Sequence, residues 1–157
     1  MRNTNKPKYP YFRNKILKMI NLGDNLLQKI VIDAQVLFNL IKTTVPVPLE
    51  NLRKQILNKE IITIIPAIAL AEFLWKMRRH NKIDEFIQLL ESLKRADNVI
   101  IDEFDLEILE LMIQNKESHE LHDEIIAMTC KKHETKIIYT TDKKFEEIFG
   151  LELRSWK

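Results

Sequence analysis

Four carboxylates in this chain follow or interrupt apolar segments. They are Asp33 in KIVIDAQ, Glu72 in PAIALAEFLW, Asp123 in LHDEIIAMTC and Asp142 in IIYTTDKKF. A carboxylate next to an apolar core is costly unless something compensates its charge. Two unit charges ~5 Å apart repel by roughly 3 kcal/mol at an effective dielectric of ~20. If the fold brings the four together, we therefore expect a hard divalent cation between them, and all-oxygen ligands favour Mg²⁺ or Mn²⁺ over zinc.

Each carboxylate also has an ordinary structural interpretation. Asp142 could be the N-cap of the helix KKFEEIF, and Glu72 could form with Lys76 the i,i+4 pair that is typical of a surface helix. Asp123 has an acidic neighbour, so one of the two could merely solvate its helix. Asp33 is the hardest to explain by stability, because it closes a buried apolar strand.

Apolar periodicity predicts strands that alternate with helices along the chain. Short β-branched runs predict the strands, and apolar residues at a spacing of three and four predict the helices. This alternation is typical of an α/β protein, whose parallel sheet is covered by helices on both faces. The carboxyl ends of such strands form the edge where ligands bind. The predicted strands are 30–33, 61–65, 99–101, 137–139 and 151–156, and the predicted helices are 34–41, one ending near 58, 66–79, 82–95, 104–114, 121–133 and 143–149.

Composition narrows the class of protein. The chain has 157 residues and 45% hydrophobic residues, enough for one domain with a real core. Its single cysteine, Cys130, excludes an intramolecular disulfide and a multi-cysteine zinc site. With two glycines, a glycine-rich phosphate loop cannot be built. No apolar stretch approaches the ~18 residues that span a bilayer, so we expect a soluble, cytoplasmic protein that does not contact a membrane.

Charge divides the chain into regions. Residues 1–28 form a basic extension that we expect to be helical in part, because Phe12, Ile16, Met19 and Ile20 recur at helical spacing. It could dock on RNA, on a membrane surface or on its own domain, and we favour the last. The folded domain spans 29–157. A second basic cluster follows Glu72 and consists of Lys76, Arg78, Arg79, His80 and Lys82. Basic surface beside an acidic cleft suits a phosphodiester substrate.

The order of the acidic motifs resembles the PIN-domain family of metal-dependent nucleases, which includes the VapC-type toxins of toxin–antitoxin pairs. The resemblance covers residues 29–156. It implies a three-layer α/β/α sandwich with a central, mainly parallel five-stranded sheet. It also implies that Thr140, in Thr-x-Asp, is the hydroxyl beside the metal, and Ala34 stands where the family often has Ser or Thr. The residues that it assigns to the metal, Mg²⁺ or Mn²⁺, are Asp33, Glu72, Asp123 and Asp142.

The resemblance implies a metal-dependent ribonuclease that hydrolyses RNA phosphodiester bonds, either as the toxin of a toxin–antitoxin pair or as a solitary processing nuclease. One or two metal ions would orient and deprotonate water, polarise the scissile phosphate and neutralise the leaving oxygen, without a side-chain nucleophile. The expected partners are an RNA substrate, an antitoxin protein and a second copy of the chain in a homodimer.

Two other interpretations stay open from the sequence. His119, His122 and Asp123 are similar to the His-Asp pair of HD-type phosphohydrolases, which bind transition metals. That family is all-helical, and the predicted strands argue against it. The second alternative is a catalytically weak or inactive PIN-like module that binds RNA or a protein partner; the intact set of four carboxylates argues against it.

Overall fold

Five strands form one all-parallel sheet in the computed structural model, which describes residues 27–156. The strands are β1 (Gln28–Ile32), β2 (Ile61–Pro66), β3 (Val99–Asp102), β4 (Ile137–Tyr139) and β5 (Glu152–Arg154). They lie in the order β3-β2-β1-β4-β5, so that β1 is central. The helices of the described residues are α1 (Ala34–Leu40), α2 (Val47–Leu57), α3 (Ala67–Arg79), α4 (Ile83–Arg95), α5 (Leu106–Gln114), α6 (Leu121–Lys132) and α7 (Lys144–Glu147).

The inner strands are mostly apolar because both faces of the sheet are covered, and β2 is buried at every position. In β1, Ile30 and Ile32 point into one core and Val31 into the other. Helices α1 to α4 contribute to the first core, and α5 to α7 contribute to the second. The predicted three-layer α/β/α sandwich is therefore confirmed, and its sheet is wholly rather than mainly parallel.

The register between β1 and β4 sets the level of the candidate site. Ile32 lies opposite Tyr139, and the Asp33 amide donates to the Tyr139 carbonyl at 3.4 Å. The residues that follow these two strands, Asp33 and Thr140, thus leave the sheet side by side at its carboxyl edge, as the sequence predicts for an open parallel sheet.

Most predicted elements are present with small shifts of their bounds. The fourth strand has the predicted bounds, whereas β1 begins at Gln28 and ends at Ile32, so Asp33 lies just beyond it as the N-cap of α1. The fifth strand is shorter than predicted and lies at an edge of the sheet, as expected.

The spacing of Leu106, Leu109, Met112 and Ile113 predicts one apolar face for the helix 104–114, but of these four only Met112 packs against the core. Leu106 and Ile113 are 75% and 80% exposed, and Leu109 is also exposed, whereas Ile108 is fully buried. Leu111 and Met112 pack against the same core. This segment is apolar almost all round, so its periodicity does not choose a face; packing against α6 makes the choice.

Residues 1–26 lie outside the described residues, and with them the amphipathic segment at 12–20. The division into a basic extension and a domain therefore stays a prediction. Among the helices of residues 27–156, none is long and apolar enough to cross a membrane.

Candidate active site

Asp33 is held at the carboxyl edge by three donors. One of its oxygens accepts the backbone N–H groups of Gln35 and Val36, at 2.8 and 3.1 Å, in the manner of an N-cap. The other accepts the hydroxyl of Thr140. The residue is only 7% exposed. Burial raises the pKa of the Asp33 carboxyl, although these three hydrogen bonds and the charge of Lys76 lower it in part.

Thr140 connects Asp33 to Asp142. Its side chain is fully buried, and its hydroxyl oxygen accepts the Asp142 amide at 3.1 Å while donating to Asp33. Asp142 in turn accepts the Lys144 amide at 3.0 Å, beside the start of α7. The N-cap of α7 is Lys143 rather than Asp142, so the capping interpretation is wrong by one residue, although Asp142 accepts a backbone N–H of the helix start and stands next to the buried Asp33–Thr140 pair.

Asp123 lies in the first turn of α6, and neighbouring charges shift the pKa of its carboxyl. Burial raises the pKa of the Asp123 carboxyl, the charge of Lys144 lowers it, and the carboxylates of Glu120, Asp142 and Glu72 raise it further. The Lys144 ammonium is 3.7 Å from an Asp123 oxygen. Like charges on three different elements therefore act on Asp123, so the predicted carboxylates are neighbours in space.

Glu72 lies in the second turn of α3 and its carboxylate contacts a histidine. Nδ1 of His122, on α6, is 2.5 Å from Glu72 Oε1. The i,i+4 interpretation predicted Lys76 as the partner of Glu72. The Lys76 charge instead acts on Asp33, where it lowers the pKa.

The donor chemistry of this edge fits a hard divalent cation, because every predicted ligand is a carboxylate. Their arrangement is more open than a coordination shell. Within residues 27–156, no group of three or more His, Cys, Asp and Glu side chains is placed to hold a metal ion. Glu72 contacts His122, and Asp123 faces Lys144. The structure thus joins Asp33 to the backbone of Asp142 through the Thr140 hydroxyl, while Glu72 lies on α3 and Asp123 on α6.

A second buried aspartate was missed by the sequence interpretation. Asp102 ends β3 and is 7% exposed. Lys132 at the end of α6 lies 2.9 Å from Asp102 and 2.7 Å from Asp105, and His133 Nε2 lies 2.9 Å from Asp102. The signal was present, because VIID ends an apolar strand as KIVID does. His122 entered the sequence interpretation only through the HD-type alternative, and Lys144 was missed, since nothing in their own segments indicates a carboxylate partner from another element.

Comparison with known proteins identifies the family. A family model described as PIN domain matches residues 30–150. The chain belongs to the PIN-domain family. This confirms the resemblance found in the sequence, and the five-stranded sheet excludes the all-helical HD-type alternative. His119, which that alternative would use, packs against Phe149 with ring centroids 4.9 Å apart.

Solved structures share the PIN fold at low sequence identity. FitAB bound to an IR36 DNA fragment is 15% identical, with a TM-score of 0.61 over 82% of this chain and 96% of that chain. VapBC2 from Rickettsia felis, bound to a promoter DNA fragment, is 19% identical, with a TM-score of 0.59 over 83% and 100%. A toxin–antitoxin complex from Klebsiella pneumoniae is 15% identical, with a TM-score of 0.56 over 81% and 97%. No curated protein matches the sequence.

Proposed function

We propose that this PIN-domain protein is a metal-dependent ribonuclease that hydrolyses phosphodiester bonds in RNA. The observation that carries the proposal is the set of carboxylates around Asp33 and Asp123, whose pKa values are both raised. Burial raises the pKa of both carboxyls, and the carboxylates of Glu120, Asp142 and Glu72 raise that of Asp123 further. Acids with pKa values shifted in this way are concentrated at functional sites. Membership of a family of nucleases supports the same conclusion.

The proposed ligands of the metal, Mg²⁺ or Mn²⁺, are Asp33, Glu72, Asp123 and Asp142. A divalent cation held by these oxygens would supply Lewis-acid activation of water and of the scissile phosphate. Thr140 is a positioning residue, because its hydroxyl fixes one oxygen of Asp33 and the backbone of Asp142. The N-cap bonds of Asp33 fix its other oxygen.

The choice of RNA as substrate rests on the basic groups beside the acids. Lys76 is close enough to Asp33 to lower the pKa of that carboxyl. Arg78 and Arg79 lie in the last turn of the same helix. Cations beside an acidic centre lower the repulsion that a polyanionic substrate would otherwise meet there.

The test is Asp33→Asn, assayed with single-stranded RNA in Mg²⁺ or Mn²⁺. We expect cleavage to fall at least about 100-fold, since even outer partners of metal ligands change activity 10- to 100-fold. The melting temperature should stay equal or rise, because a repelling charge is removed. Asp84→Asn, at an exposed position in the first turn of α4, is the matched control and should cleave normally. A wild-type rate in Asp33→Asn would refute the proposed site.

An antitoxin protein is the partner that the similar structures suggest, because they include VapBC2 and a toxin–antitoxin complex. We propose that this chain either binds such a protein or acts as a solitary processing nuclease. A small adjacent gene for a DNA-binding protein, and co-purification of its product with this chain, would support the first. The predicted homodimer is tested by light scattering of the purified protein.

A catalytically weak module that binds RNA or a protein is the second candidate function. Two observations favour it: Glu72 is engaged by His122, and Ala34 replaces a hydroxyl residue common in the family. RNA binding without any metal-stimulated cleavage, in wild type and Asp33→Asn alike, would establish this alternative.

A further inference from the structure

A cavity of about 560 Å³ opens directly beside the candidate site. Helix α3 supplies five of its lining residues and His122 of α6 supplies the sixth; the α3 residues are Ile68, Ala71, Glu72, Trp75 and Lys76. The cavity therefore contains one proposed metal ligand, Glu72, together with the histidine that contacts it. Its volume lies in the range of small-ligand sites.

Trp75 is the unusual member of this cavity because its side chain is 57% exposed. A large aromatic ring left in water forgoes the burial that stabilises most tryptophans. The guanidinium carbon of Arg79 lies 4.8 Å from the centroid of the Trp75 ring, which is the geometry of a cation–π contact. Folding thus orients this ring without covering it.

Positive charge accompanies the ring. Lys76 lines the same cavity, and its charge acts on Asp33 by lowering the pKa of that carboxyl. Together with Arg79, it places two cations around an exposed aromatic side chain. An aromatic ring flanked by cations is the arrangement by which proteins bind single-stranded nucleic acid, with bases stacked on rings and phosphates near the cations.

The spacing along α3 relates the ring to the candidate centre. Glu72, Trp75 and Lys76 are at positions i, i+3 and i+4, so they share one face of the helix. At 1.5 Å per residue, Trp75 lies about 4.5 Å along the helix axis from Glu72. A base that stacks on Trp75 is therefore adjacent to any phosphate that reaches the Glu72 carboxylate.

We propose that Trp75 is a stacking platform for an unpaired nucleobase, with Lys76 contacting the neighbouring phosphate, so that the site accepts single-stranded RNA of any sequence at this position. The proposal rests on the proposed ribonuclease function and names the form of its substrate. Every base has a π-face, so stacking carries little sequence preference. Bases in a duplex are already stacked and paired, so they cannot occupy the ring.

Binding is tested in the Asp33→Asn background, which keeps the RNA intact. The probes are a 12-nucleotide oligouridylate and a blunt duplex of the same length. Trp75→Ala should weaken oligouridylate binding about 5- to 150-fold, the usual effect of losing one base–aromatic stack. Trp75→Phe should restore most of the affinity, and binding of the duplex should change less than twofold. In the cleaving protein, Trp75→Ala should raise KM more than it lowers kcat.

Tryptophan emission reports the contact directly. The chain has two tryptophans, and Trp156 stacks on Tyr139 at a centroid separation of 6.3 Å. Trp156→Phe therefore leaves Trp75 as the single reporter, and oligouridylate should quench its emission with the same Kd as in the binding assay. Trp75→Ala should keep the parent melting temperature, since the ring is exposed.

The proposal is overturned if Trp75→Ala binds oligouridylate within twofold of its parent and Trp75 emission is unchanged by RNA. It is also overturned if that substitution converts a dimer to a monomer at constant RNA affinity, because the ring would then be a contact between copies. Either result leaves metal-dependent cleavage by the wild-type protein intact. Conversely, quenching without cleavage supports stacking while the ribonuclease function fails.

Discussion

Asp33 and Asp102 occupy equivalent places in the sheet but have different surroundings. Each follows or ends an apolar strand, β1 or β3, on either side of β2, and each is 7% exposed. Asp102 is met by the ammonium of Lys132 at 2.9 Å. Asp33 is met by neutral donors, namely two backbone amides and the Thr140 hydroxyl. The same sequence pattern therefore gives either a paired charge or an unpaired one, and only the rest of the fold decides which.

The pKa shifts of Lys132 and Asp105, beside Asp102, favour the charged forms of these groups. The pKa shifts of Asp33 and Asp123 favour the neutral carboxyls. Around Asp102, burial alone would lower the pKa of Lys132, but its bonds to Asp105 and Asp102 raise it. Burial would raise the pKa of Asp105, but the bond from Lys132 lowers it. Around Asp33 and Asp123, burial dominates and both pKa values rise. The first cluster favours its charged forms in the folded protein, whereas in the second the charges of Lys76 and Lys144 do not outweigh the effect of burial.

The largest expected effect is that of removing the Lys132 ammonium, which pairs with Asp102 and Asp105. Lys132→Met should lower the free energy of unfolding by roughly 3–5 kcal/mol, because it removes the ammonium from the buried Asp102 and leaves only His133 beside it. Urea denaturation measures the loss. Lys144→Met is the matched control: its side chain is half-exposed and its ammonium lies 3.7 Å from Asp123, so its removal should cost far less than that of Lys132. Equal losses of unfolding free energy in the two variants would mean that the carboxylate charges of the two clusters are compensated equally by their lysines.

Added metal should stabilise the Asp33 and Asp102 variants to different extents, and we expect this effect to be intermediate in size. Mn²⁺ at 100 times its Kd should stabilise the wild-type protein by about 2.7 kcal/mol, since it binds the assembled carboxylates and not the unfolded chain. The melting temperature should rise accordingly. Asp33→Asn should lose most of this rise, whereas Asp102→Asn, though less stable at the outset, should keep it. If both variants respond as the wild type does, the stabilisation comes from nonspecific ion binding.

The dependence of stability on pH should show the smallest difference. The folded chain binds a proton at Asp33 more tightly than the unfolded chain does, because its pKa is raised from 3.8. The contribution of Asp33 to the free energy of unfolding therefore falls as the pH rises from the pKa of Asp33 in the unfolded chain through its pKa in the folded chain. The effect is at most about 1.4 kcal/mol for each unit of pKa difference. Asp105 has the opposite sign, since its pKa is lowered and its contribution is lost as the pH falls through that lowered value.

Denaturation in metal-free buffer, at several values from about pH 4 to 7, measures this dependence. Relative to the wild-type protein, Asp33→Asn should become progressively more stable towards pH 7. A stability difference that does not change with pH would show that the Asp33 charge carries no penalty in the folded state. Asp105→Asn should instead lose most stability, relative to wild type, at neutral pH.

The sequence predicted the elements better than it predicted their partners. Asp33 and Asp142 could be placed at one edge, because strand ends of a parallel sheet share that edge. The contact between Glu72 and His122 joins two helices far apart in the chain, and no local pattern encodes it. The prediction of the buried face of α5 was also wrong for most of its residues. That helix has apolar residues on opposite sides, so packing against α6 decides which side is buried. Local periodicity fixes an element's type, while its neighbours fix which side chains face inward.

The pairing of β1 with β4 has a consequence for the order of assembly during synthesis. Thr140 lies 107 residues after Asp33, so β1 is made long before β4, its neighbour in the sheet. Contacts between such distant residues form late, because the intervening loop must be closed first. A nascent chain that has not reached residue 142 holds Asp33 without Thr140 or Asp142. If the protein is the ribonuclease proposed above, its candidate site would thus stay incomplete while its own messenger is being read.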